Sequence, residues 1–285
     1  MNSRRCFLAL SIFTSTIASA QDSKTENFSE HFDAMLGEIT NNRFDRALRH
    51  LFPIQKEIRI RLTGKLQTDP NLARRLREMT DATAVTSTIA LMRRHFESGA
   101  WNEAHDEATL IGFGLTTLWS NVPAYDKLKG YQEDYESTRG GERFAALRRI
   151  GYTAIDARDF ALAKKTGAQM LDFVAQKQIE HDPGAYRHSA LTILGLAALN
   201  TGSVPNAEKY LLDSARVLSG ELMQTYGPNF KLARQLFDAG RKQTVIEFFT
   251  LCEKLDWQDG AVLKTWKEDV AAGRVPEYGA QNYVN

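Results

Sequence analysis

The residues with which this chain could do chemistry are six histidines, two cysteines and several carboxylate runs. The histidines are His31, His50, His95, His105, His181 and His188. No two stand four apart, the spacing that lets imidazoles on one helix share a metal as in H-E-x-x-H. His181 and His188 flank Pro183, so the first falls outside the helix that bears the second. In "EAHDEA" (103–108) Glu103 and Glu107 share a helical face and His105 points well away. That pattern reads as a solvated helix face, not a metal site. The run "EDYE" (133–136) reads the same way. Gly112-Phe113-Gly114 lies inside an apolar helical stretch with no strand before it, so it is no dinucleotide turn. Gly140-Gly141 lacks the lysine and hydroxyl of a phosphate loop, and no G-x-S-x-G occurs. Cys252 sits in the apolar run "VIEFFTLCEKL" and reads as a buried thiol, because a small hydrophobe suits that setting better than a nucleophile. The expectation is therefore no catalytic residue, no metal and no cofactor. An enzyme would have to assemble its groups from distant positions.

The first twenty residues, "MNSRRCFLALSIFTSTIASA", place two arginines before an apolar run and a small Ala-x-Ala triplet. That order makes a secretory signal peptide cleaved after Ala20. The run is too short to span a bilayer, and no later stretch comes closer, so no transmembrane segment is expected in the mature chain. Ser3-Arg4-Arg5-Cys6-Phe7-Leu8 resembles the twin-arginine export motif, with Ala9 where a lysine is usual. Both export routes stay open. Cys6 leaves with the leader, so Cys252 has no partner for an intrachain disulfide. The expected location is the periplasm or the outside of the cell. Lys and Arg number 36 against 35 Asp and Glu, and the leader itself holds two arginines and no acid. The remainder is close to neutral, which argues against a nucleic-acid binder.

Apolar residues recur at spacings of three and four almost throughout, and period-two runs are scarce. The class is all-α. Helices are predicted at 28–40, 43–65, 70–97, 101–119, 123–136, 141–157, 160–178, 184–201, 204–219, 228–239, 241–256 and 259–272. Asp69-Pro70 and Asp182-Pro183 read as an N-cap followed by a first-turn proline. Gly99, Gly202 and Gly240 fall where the preceding helix should stop in a left-handed conformation. Four segments are expected: the leader 1–20, divergent helical hairpins over 21–136, regular hairpins over 137–257, and a capping helix with tail over 258–285.

Five segments share a register: "NRFDRA" (42–47), "GAWNEA" (99–104), "RDFALA" (158–163), "GSVPNA" (202–207) and "GRKQTV" (240–245). Five positions after each turn residue stands Ala47, Ala104, Ala163, Ala207 or Val245, small enough to let two helices cross closely. Gly151, Gly195 and Ala233 stand seven before the last three turns; Met35 and Met92 take the equivalent places before the first two. Ile150-Gly151 with Phe160 and Ala163, and Leu194-Gly195 with Gly202 and Ala207, resemble the tetratricopeptide repeat over about 141–256. The turns lie 57, 59, 44 and 38 residues apart, not at that family's regular period of 34. The resemblance implies a right-handed superhelical stack of helical hairpins, with longer and irregular helices at the N-terminal end.

It also implies a concave face built from the first helix of each hairpin, where such repeats hold partner peptides. The stripes on that face are Arg148, Tyr152 and Asp156; Thr192, Leu196 and Asn200; Phe230, Arg234 and Asp238. They mix charge, hydrogen-bonding groups and exposed aromatic area. The expected function is an exported, non-catalytic scaffold for a protein or peptide. A cell-envelope hydrolase on a helical frame and a carrier of a cofactor or small ligand are the alternatives. The C-terminal segment is expected to cap the last repeat; the alternatives for the tail with Tyr278 and Tyr283 are that it folds back into the groove or recruits a partner. Oligomeric state is left open.

Overall fold

A computed structural model describes residues 27–62, 66, 69–176, 182–257 and 260–278. The leader with its twin arginines and Ala20 lies outside these residues, as do His181 and Tyr283. Among the described residues there are fourteen helices and no strand. None of the helices is long and apolar enough to cross a membrane. The chain divides into two compact units, residues 1–122 and 123–285.

The first unit contains α1 (Phe28–Thr40), α2 (Phe44–Arg61), α3 (Leu72–Glu78), α4 (Ala82–Ser98) and α5 (Trp101–Asn121). Helix α1 packs on α2, α2 on α5, α5 on α4 and α4 on α1, so two hairpins close into a ring of four. Apolar residues three and four apart supply each inner face. On α2 these are Phe44, Ala47, Leu51, Ile54 and Ile58, all buried. Met35 and Met92 are fully buried, filling the interior where the repeat pattern would have small residues. The helix predicted over 70–97 is broken. Asp81 accepts the Ala84 N–H at 2.9 Å and starts α4 afresh. Nor does a helix begin at Pro70: Asp69 takes the Asn71 N–H at 2.8 Å in a turn that precedes α3.

The second unit contains α6 (Ala124–Ser137), α7 (Gly140–Asp156), α8 (Phe160–Ala175), α9 (Pro183–Asn200), α10 (Val204–Arg216), α11 (Glu221–Tyr226), α12 (Lys231–Asp238), α13 (Lys242–Cys252) and α14 (Val262–Ala271). Helix α6 packs on α7, and the break between units falls at 122/123. Each long helix lies against its sequence neighbour, and the first helices of successive hairpins also meet: α7 with α9, and α9 with α12. The short α11 was not foreseen.

The five aligned turns share one hydrogen-bonded design. Asn42, Gly99, Arg158, Gly202 and Gly240 have φ of 56°, 76°, 60°, 83° and 79°. After each, the next N–H reaches back five residues to a helix carbonyl. The bonds are Arg43 to Glu38, Ala100 to His95, Asp159 to Ala154, Ser203 to Ala198 and Arg241 to Leu236, all at 2.8–2.9 Å. The turn residue itself bonds three residues back, completing a Schellman motif that satisfies the last helix carbonyls. Residues 47, 104, 163, 207 and 245 are then fully buried, as their register requires.

Small residues set two crossings in the second unit. A Cβ on Gly151 of α7 would lie 2.6 Å from the Ile193 side chain of α9. A Cβ on Gly195 of α9 would collide with Leu232 of α12. The same device therefore joins α7 to α9 and α9 to α12.

Candidate functional site

The stripes predicted to face a partner split by burial. Tyr152, Thr192, Leu196 and Phe230 are each at most 1% exposed. They are core residues, and the exposed aromatic area expected of the stripes is absent from them. The cause is packing: α7 is flanked by α6, α8 and α9, and α9 by α7, α8, α10 and α12. Little of either helix can reach water. Burial raises the Tyr152 phenol to about 12. Its buried hydroxyl lies near the Ser189 and Thr192 side chains. Thr192 turns its hydroxyl onto the His188 carbonyl at 2.8 Å.

The other predicted residues form a polar strip. Asp156, Asn200 and Asp238 are exposed, and Arg148 and Arg234 half-buried. The strip is tied across helices by two residues that the sequence stripes omitted. Lys231 of α12 donates to Asp156 of α7 at 2.9 Å, and its Nζ lies 6.0 Å from the Tyr152 ring centroid. Asn200 of α9 donates to Gln235 of α12 at 3.2 Å. Arg234 pairs with Asp238 one turn on, at 3.0 Å. Lys127 of α6 lies within electrostatic reach of Asp156, and burial lowers its pKa. The strip thus carries both signs of charge plus amide groups, spread over α7, α9 and α12. Lys231 was missed because the stripe was stepped four residues back from Arg234, which lands on the buried Phe230, whereas the outward neighbour on that side stands three back. In the structure α12 begins at Lys231, with the Asn229 side chain accepting the Lys231 N–H at 2.8 Å. That makes 231, 234, 235 and 238 the outward positions.

His188 anchors the strip from beneath. It is buried, with Nδ1 3.1 Å from the Ser214 carbonyl and Nε2 accepting the Asn229 N–H at 2.9 Å. The two partners fix the neutral tautomer with hydrogen on Nδ1. Burial lowers its pKa to about 4. One imidazole so joins α9, α10 and the segment that starts α12.

Phe230 is the hub of an aromatic cluster. Phe248, Phe249, Trp257, Trp266 and Tyr278 surround it with centroids 5.1–6.0 Å away. Tyr278 is stacked on it at 14° between planes. The tail therefore packs against the first position of the third stripe. Cys252 is buried as expected, and burial pushes its thiol up, out of nucleophilic range.

A second cluster of polar side chains lies in the first unit, where a wet helix face was predicted. Asp106 and Glu107 of α5 are buried. Arg75 of α3 donates Nη2 to both Glu107 oxygens at 2.7 Å and Nη1 to Asp69 at 3.2 Å. The Asp69 N–H in turn bonds Asp106 Oδ2 at 2.8 Å. Burial opposes the Arg75 charge, but Glu107 and Asp69 outweigh it and hold the guanidinium pKa up. His105 stands 3.9 Å from Asp106, and burial lowers its pKa. Sequence could not pair residues 75 and 107, because the break at 79–81 that swings α3 onto α5 was not seen. His31 and His50 also meet, Nδ1 to Nδ1 at 3.4 Å, and burial followed by His31 lowers the His50 pKa. Among the described residues, no group of three or more His, Cys, Asp or Glu is placed to hold a metal. A depression of about 200 Å³ between α10 and α13 is lined by Ala215, Arg216, Leu218, Leu251, Lys254 and Leu255. It is smaller than the roughly 300–1,000 Å³ of small-molecule sites and offers no convergent acid, base or nucleophile.

Comparison with known proteins finds no matching family model, no similar curated protein and no similar solved structure.

Proposed function

We propose that this chain is an exported, non-catalytic scaffold that holds a protein or peptide on the polar strip of α7, α9 and α12. In this reading the hairpins of the second unit stack in the right-handed manner of tetratricopeptide repeats. The observation that carries it is the serial contact of first helices. Glycine at two crossings brings α7, α9 and α12 side by side, and their outward residues join into one strip through Asp156–Lys231 and Asn200–Gln235. Alternating charges and amides on a rigid helical frame suit backbone and side-chain groups of a peptide better than a lipid surface. Buried core residues such as Tyr152 and Thr192 support the strip and do not touch the partner. The leader's charge, apolar run and small triplet support export. Capture of one stoichiometric partner from the native envelope, abolished by Arg148→Glu together with Asn200→Arg at unchanged helicity, is the expected result. Full capture by that variant would refute the face.

A further inference from the structure

Helix α14 ends as the first helix of every hairpin ends. Gly273 has φ of 76°, its N–H bonds the Val270 carbonyl at 3.0 Å, and the Arg274 N–H bonds the Asp269 carbonyl at 2.7 Å. The chain then runs Gly-Arg-Val-Pro-Glu-Tyr (273–278), in register with the Gly-Ser-Val-Pro-Asn-Ala (202–207) that starts α10. Elsewhere the fifth residue after the turn is a buried alanine or valine on a second helix. Here 274–278 are not helical, and the fifth residue is Tyr278, 1% exposed. Its ring stacks on Phe230 at 5.6 Å, meets Trp266 edge-on at 5.2 Å and stands 6.1 Å from Phe249. The tail thus occupies the place of a missing second helix with one large side chain.

The fit is incomplete at the polar end. The buried Tyr278 hydroxyl has no hydrogen-bond partner, within electrostatic reach of Arg234 and Asp238 on the candidate face. Buried tyrosines ordinarily find a partner for that group, and leaving it unmet is costly. A permanent core position would be served better by phenylalanine.

We propose that residues 274–278 are an internal ligand, and that the cradle of Phe230, Phe249 and Trp266 exchanges them for a partner's extended segment carrying an aromatic side chain. The exchange rests on the partner-binding reading, since Phe230 directly precedes α12 and its outward Arg234 and Asp238. An aromatic without a hydroxyl should win the competition, because it brings the ring without the unmet polar atom.

The test uses the full chain and two fluorescent peptides: residues 274–281, and the same peptide with Tyr278→Phe. The chain carrying Tyr278→Ala should bind both saturably, the Tyr278→Phe peptide about tenfold more tightly. The unsubstituted chain should bind each at least tenfold more weakly, because its own tail competes. No saturable binding to a folded Tyr278→Ala chain overturns the proposal. If that variant does not fold, the unsubstituted chain decides. Excess Tyr278→Phe peptide should speed chymotryptic cleavage after its own Tyr278, and unchanged cleavage overturns exchange. Concentration-dependent dimers that exclude peptide would assign the cradle to a second copy's tail, and also overturn it. Peptide binding without capture of an envelope protein would sink the scaffold reading alone; capture without peptide binding would sink the exchange alone.

Discussion

The two units solve the same problem differently. Both are built from hairpins with the same Schellman turn and the same buried small residue five positions on. In the first unit two hairpins close on each other, and α5 buries Asp106 and Glu107 against Arg75. In the second the helices meet in series, and what is buried between them is a neutral histidine and a cluster of rings. The turn, then, fixes the hairpin but not how hairpins associate. The residue seven before the turn separates the cases. Methionine there fills a ring's interior, whereas glycine lets the next first helix lie close alongside.

The largest expected effect removes the hub. Phe230→Ala leaves a cavity among five rings and should cost about 4 kcal/mol in urea unfolding followed by Trp257 and Trp266 fluorescence. Equal loss on the first unit's Trp101 and Trp119 would erase the distinction between units. Breaking the charge cluster comes next. Arg75→Met strands the buried Glu107 and should cost about 3 kcal/mol, read on Trp101 and Trp119. A cost below about 1 kcal/mol would mean that the first unit's interior does not depend on that pair.

Acid sharpens the contrast further. His188 is neutral when folded, with its pKa lowered to about 4 by burial, against about 6.5 when unfolded. The unfolded chain therefore binds the proton first. Stability is complete above pH 6.5 and is lost as pH falls toward 4, by about 2 kcal/mol at pH 5. His188→Gln should flatten that slope on the second unit's reporters, leaving the shallower losses from His50 and His105, whose pKa values are also lowered, in the first. An unchanged slope would contradict the buried neutral imidazole. The smallest effect is a gain. Arg158→Gly relieves a left-handed non-glycine and should stabilise by about 1 kcal/mol, measured as a rise in Tm. A fall would mean that the Arg158 side chain outweighs the backbone strain.

Much of this was legible in the sequence because it is local. A left-handed turn residue and a small residue five positions on act over a few bonds, so five turns and most helix ends could be read directly. The polar strip was legible only by half. Spacing finds one face of a helix, but α9 is covered on nearly every side, and only the count of neighbours says so. Lys231 escaped because the stripe counted only i±4 neighbours of Arg234; the i−3 neighbour faces outward and the i−4 residue, Phe230, faces in. The charged interior of the first unit escaped for the opposite reason: "EAHDEA" is polar, and the arginine that makes its burial tolerable lies 32 residues away in sequence.

The central claim is that the strip on α7, α9 and α12 is where this protein meets its partner. A photo-cross-linker placed at Asn200 on α9, compared with one at the exposed Lys164 on α8, tests it most directly in the native envelope. The account predicts one discrete product from position 200, none from position 164, and loss of the product with Arg234→Glu. Equal products from both positions, or a product from position 200 indifferent to Arg234→Glu, would contradict it.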